Sequence, residues 1–302
     1  MVAAFVLAAL ITASAQTNES DVLRAAAGQI AKQQYDQAIE LLEELVGGQV
    51  RIGPEAFLML IDCRMHKGEP NAAYEAVQAG LKRHPASVGL LKAGASILVR
   101  DQRRSADAEE LLARAARIDP DDPETHYLYS QWACLHNQEE LCIDEAQKAL
   151  ALEPGNEAAS LQLNTLIGMA ADKLSRADHA ETAFRRSLRS NENLGFPDPL
   201  AAYQYVAFLV KRAREDDAQG VVALILARAP RFGPAHLERA KHLAKNGQQR
   251  QAAALAEKAL TLDGMDKEKM RAAHLLLARA YFLLGREEDS ARHQTWIEEN
   301  PH

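Results

Sequence analysis

Aromatic residues make up only 5% of the 302 residues, and Cys, Gly and Pro are sparse at 3, 16 and 11. So few Gly and Pro argue against an all-β fold, which needs many tight turns. Three cysteines cannot build a disulfide framework, and no Cys-x-x-Cys spacing is present for zinc, haem attachment or redox chemistry. The spacings His-Glu-x-x-His, Gly-x-Ser-x-Gly and the phosphate-binding P-loop are also missing. His126 and His136 are ten residues apart and do not share a helix face, so they read as surface or satisfied core histidines. Asp121 and Asp122 precede a helix and read as capping residues, and the adjacent Glu43 and Glu44 point to different parts of a helix surface. Nothing in the residues therefore points to catalysis, a metal or a cofactor. The net charge of −7 does not favour nucleic acid as a partner. The stretch 172–214, with eight Lys/Arg against five Asp/Glu, reads as solvated helix surface.

Hydrophobic residues make up 47% of the chain. With so few aromatics, much of this is Ala and Leu, the best helix formers. These residues recur at a fixed interval. Helical patterns stop at Pro85, Pro120, Pro154, Pro230 and Gly264, and successive stops such as Pro85–Pro120, Pro120–Pro154 and Pro230–Gly264 are 35, 34 and 34 residues apart. Pro cannot continue a helix, so a recurring Pro or Gly marks a recurring end. A second register runs through Ala38, Ala73, Ala108, Cys142, Ala180, Ala218, Ala252 and Ser290, at intervals of 34 to 38 residues. Small side chains are what two helices need where they approach most closely. Between the stops lie two amphipathic helices joined by a short polar turn, as at Lys67-Gly68-Glu69 and Asn246-Gly247-Gln248.

On these residues the chain resembles the tetratricopeptide repeat (TPR) proteins, whose unit is a 34-residue helix–turn–helix. The last unit shows Ala278, Tyr281 and Gly285; the second shows Gly68, Ala73, Gly80 and Pro85; the fifth shows Gly168, Ala180, Phe184 and Ser187. The first-helix aromatic is mostly missing, and the unit around 155–192 has no terminal Pro. The resemblance implies an all-α, right-handed α-solenoid (superhelix) of about eight TPR-like units. Residues 16–192 would hold repeats 1–5 and residues 193–302 repeats 6–8. The longer connection at 193–199 is a point where the array would split into two blocks.

The resemblance also implies a non-catalytic scaffold that holds an unidentified protein or peptide against its first helices. Its register places Tyr127, Gln131, Thr165, Met169, Tyr203, Lys241 and Arg279 on that protein-binding groove. Trp132 and Tyr129 are expected in the core. Some members clamp a terminal carboxylate with Lys and Asn one turn apart. The matching pairs here are Leu23 and Ala27, Leu58 and Asp62, and Lys92 and Ser96, so that clamp is absent. A structural spacer or self-assembly unit is one alternative, and an RNA-binding helical array is another.

Cys134 and Cys142 flank the turn between two helices. They read first as small buried residues, with a disulfide as the candidate pairing in an oxidising compartment. Val2 to Ile11 is an apolar run followed by Ala13-Ser14-Ala15. It is too short for a stable membrane span. It reads as a signal peptide over residues 1–15, which implies export to the periplasm or medium; without it the chain would be cytoplasmic.

Overall fold

The computed structural model describes residues 19–48, 52–99 and 102–301. The signal-peptide expectation lies outside them. Sixteen α-helices follow one another among the described residues. The first, α1, is described over 19–31. It is followed by α2 (Tyr35–Gly47), α3 (Pro54–His66), α4 (Pro70–Arg83), α5 (Val88–Leu98), α6 (Ser105–Ile118), α7 (Pro123–Leu135) and α8 (Glu139–Leu152). Next come α9 (Glu157–Lys173), α10 (Ala177–Asn193), α11 (Pro199–Lys211), α12 (Glu215–Arg228), α13 (Gly233–Lys245), α14 (Gln249–Leu260), α15 (Lys267–Leu283) and α16 (Glu287–Glu299). No strand is present among the described residues; Phe232 and Asp263 form one isolated bridge that joins two loops.

From α3 onward each odd-numbered helix packs against the even-numbered helix that follows it, and Ala26 of α1 shares a core cluster with Ala38 of α2, which gives eight hairpins among the described residues. The predicted small residues all fall at the fourth position of an even helix, and every one, from Ala38 to Ser290, is buried. In the fifth hairpin a Cβ on Gly168 would come within 2.8 Å of the Phe184 ring, so the absence of a side chain there sets the helix spacing. The predicted large core residue is Trp132, 1% exposed; Tyr129 is half-buried and tilted against it at 5.9 Å.

The turns inside the hairpins share one geometry. In seven of the eight, the residue two places before the second helix has a positive φ: Gln33, Gly68, Asn137, Ser175, Ala213, Gly247 and Gly285. The next amide then bonds back to a carbonyl near the end of the first helix, as Arg214 to Leu209 at 3.0 Å and Gln248 to Leu243 at 2.9 Å. These bonds satisfy carbonyls that a helix end leaves unpaired. Five of the first helices, α5, α7, α9, α11 and α15, open on side-chain caps. Ser87, Asp122, Asn156, Asp198 and Asp266 each accept a backbone N–H from their own first turn. Asp122 is thus a cap as expected, whereas Asp121 is not; its amide donates to Asp119 Oδ1.

The chain divides into two compact units, residues 1–153 and 154–302, each holding four hairpins. The longer connection at 193–199 does not coincide with this division. Both α9 and α10 pack on α11, so that connection lies inside the second unit. Phe196 is buried, and Asn191 bonds Asp198 through both its side-chain amide and its carbonyl, at 2.6 and 3.2 Å, which folds the extra residues onto the hairpin. Within each unit, hairpins stack first helix on first helix: α3 on α5 and α5 on α7, then α9 on α11 and α13 on α15.

Candidate functional site

The first helices of repeats 6, 7 and 8 (α11, α13 and α15) carry the features most suited to holding a ligand. A cleft of about 660 Å³ is lined by Lys241, Ala244 and Lys245 of α13, Gln249 of α14, and Leu275, Leu276 and Arg279 of α15. A smaller hollow of about 120 Å³ shares Lys241 and Lys245 with it and reaches Val210, Glu215 and Glu238. The larger cleft has three cations and no carboxylate among its lining residues.

The cations are held differently. Lys241 Nζ donates to Glu238 Oε1 at 2.6 Å, and Tyr203 Oη donates to the same oxygen at 3.1 Å. Glu238 is buried, so one carboxylate oxygen ties α11 to α13 and fixes the lysine at the cleft wall. Burial, then the neighbouring Glu238 charge, pushes the Tyr203 phenol well above its ordinary range, so it stays a donor. Lys245 donates to Glu215 of α12. Arg279 is exposed and makes no ion pair or hydrogen bond among the described residues. Beside it, Leu275 is 51% and Phe282 66% exposed; Leu283 is also exposed. Leu275 and Phe282 are seven residues apart and share one face of α15, with Arg279 between them.

The sequence-derived groove residues distribute unevenly. Lys241 and Arg279 line the cleft together, and Tyr203 joins it through Glu238. Met169 is exposed on α9 but lines none of the described hollows. Thr165 does not face a groove. It is buried, bonds Leu161 O and Ser187 Oγ at 2.8 and 2.7 Å, and serves the interior of its hairpin. Tyr127 and Gln131 lie half-buried in the first unit, where the Gln131 amide donates to the Tyr127 hydroxyl at 2.8 Å. Five residues lining the cleft went unnamed: Ala244, Lys245, Gln249, Leu275 and Leu276. Lys245 and Leu275 lie one turn from Lys241 and Arg279, so extending the same register would have reached them.

Other polar clusters serve packing. His126 is buried between Glu145 Oε2 at 2.5 Å and Pro120 O at 2.8 Å, and His136 Nδ1 bonds Trp132 O, so both are satisfied histidines as expected. Within 172–214, Glu181 binds Arg185 and Arg214, and Asp172 binds Lys211 and Arg212. The Arg214 and Arg185 guanidiniums hold the Glu181 carboxyl down at about 2. Much of that basic stretch is therefore neutralised within the chain. Lys92, at one of the clamp-related positions, is tied to Asp122 and Glu124.

The cysteines differ from their first reading. Cys134 and Cys142 are joined in a disulfide, with Cα atoms 5.1 Å apart, and Cys134 is half-buried rather than buried. The tight reversal at Asn137 brings the last turn of α7 against the first turn of α8, within the Cα span a disulfide requires. Cys63 is a buried free thiol, raised by burial above the ordinary thiol range. Among the described residues no group of three His, Cys, Asp or Glu could hold a metal, and no helix is long and apolar enough to cross a membrane.

No family model and no curated protein matches the chain. Solved structures do. It is similar to a tetratricopeptide repeat protein from Parabacteroides merdae, with a TM-score of 0.63 at 12% identity over 86% of this chain and 99% of that one. PilF of Pseudomonas aeruginosa gives 0.59 at 16% identity, covering 72% and 95% of the two chains. PilW, described as a widely conserved type IV pilus biogenesis factor, gives 0.55 at 16% identity, covering 70% and 93%. Together with the hairpins stacked within each unit, these likenesses establish the fold: the chain has an all-α helical-repeat fold of the tetratricopeptide-repeat kind.

Proposed function

We propose that the chain is a non-catalytic scaffold that holds a partner peptide or helix against the first-helix face of repeats 6–8. The observation that carries this reading is the cleft between α13 and α15. It combines three cations with exposed leucine on helices already fixed by hairpin packing. A pre-ordered surface loses little conformational freedom on binding, and Arg beside large apolar side chains is the composition of interface anchors.

Site-specific photocross-linking tests it. A photoreactive residue replaces Ala244 in the cleft or, as a control, the exposed Arg189 of α10. Expected are discrete adducts from position 244 that disappear with Tyr203→Ala or Arg279→Ala, and none from position 189. Equal labelling from both positions, or none from the cleft, overturns the reading. If the adduct is the chain itself and its mass by light scattering rises with concentration, the face serves self-assembly instead.

A further inference from the structure

We infer that the cleft between α13 and α15 selects an acidic amphipathic helix of a partner protein: apolar residues seven apart, flanked by carboxylates. This rests on the proposed scaffold reading and names the class of partner. Three observations converge. The lining of the cleft is cationic, through Lys241, Lys245 and Arg279, although the chain as a whole carries −7. Two of these cations are held at the wall by acids of the smaller hollow, Glu238 and Glu215, while Arg279 has no acid of its own among the described residues. Finally, Leu275 and Phe282 form a two-turn apolar stripe on either side of Arg279. A helix laid along α15 would meet apolar, cationic and apolar groups in succession. Its own residues at i and i+7 match the stripe, and a carboxylate between them meets the guanidinium in a two-pronged bond that a lysine could not form. The chain's net charge of −7 disfavours an acidic partner in general, so attraction depends on local cations such as these.

The test uses the full chain and two synthetic helical peptides of equal length. Both carry leucine at i and i+7; one has glutamate at the intervening positions and the other lysine. Fluorescence anisotropy is expected to show saturable binding of the glutamate peptide, weakening with added salt, and none of the lysine peptide. Arg279→Glu should weaken the glutamate peptide by about tenfold or more. Phe282→Ala should weaken it as well, and Arg189→Glu, with the same charge change on α10, should not. These positions are exposed, and circular dichroism melts confirm that the variants fold. Equal binding of both peptides, or equal loss with Arg189→Glu, overturns the inference. If cross-linking still captures a partner through position 244 in that case, the scaffold reading stands and only the acidic-helix assignment falls.

Discussion

Ala213 sits at φ 57, in a region where a Cβ crowds the following carbonyl. Gly68, Gly247 and Gly285 occupy the equivalent place in their own hairpins. Ala213→Gly is therefore expected to stabilise the chain by about 0.5–1 kcal/mol, the relief of left-handed strain less the added freedom of the unfolded chain, read as a higher urea midpoint. The opposite holds at Gly168, where any side chain meets the Phe184 ring. Gly168→Ala should cost about 1–3 kcal/mol as an overpacked contact, and pairing it with Phe184→Leu should recover part of the loss. Gly168 was partly legible beforehand, as a small residue of the fifth unit. A period of small residues predicts close helix approach, and all eight register positions prove buried. That Ala213 is left-handed was not legible, because the hairpin geometry overrides the residue's own preference. Nor was the inward turn of Thr165, which follows from Ser187 standing opposite it on α10.

Single helices are joined by devices that no local pattern discloses. On the last hairpin, His274 Nδ1 lies 2.8 Å from His293 Nδ1, and His274 stacks on Trp296 at 3.8 Å. Burial, with the His293 charge adding to it, lowers His274 to about 4; burial also lowers His293, whose neighbours Glu257 and Asp289 pull it back up. Both rings are neutral in the fold, whereas the unfolded chain takes up protons near pH 6.5. The contribution of this pair is thus complete above pH 6.5 and is lost as pH falls from there toward 4, on the order of 2 kcal/mol for His274. Melting temperatures at pH 7, 6 and 5 should decline less steeply in His274→Gln than in the native chain; parallel slopes would exclude the pair as the cause. At the fourth hairpin, the Cys134–Cys142 bond joins α7 to α8 across eight residues. Thiol titration of unreduced protein in denaturant should find one reactive group, Cys63, and three after reduction. Three before reduction would show that the bond does not form. The sequence placed these cysteines on facing helix ends but could not choose between pairing and simple burial.

Each of the two compact units contains four whole hairpins, and a repeat array draws its stability from neighbouring units rather than from one central core. Residues 154–302 expressed alone should accordingly fold into a helical, cooperatively melting protein and keep the cleft, since α11 to α15 all lie within them. Failure to melt cooperatively would mean that the second unit depends on the first. At this scale the helix count, the pairing of helices and the absence of strands among the described residues all follow from the periodicity of small residues and stops. The division after Glu153 does not, because Pro154 is one of several equivalent stops and nothing local distinguishes it.

Tyr203 and Lys241 share a single oxygen of Glu238. An anion that drew the ammonium away would leave that oxygen to the phenol alone, tightening the tie between repeats 6 and 7 at the moment repeats 7 and 8 take hold of a guest. Grip and stiffness would then rise together, so that occupancy at one end of this face is felt one repeat further along.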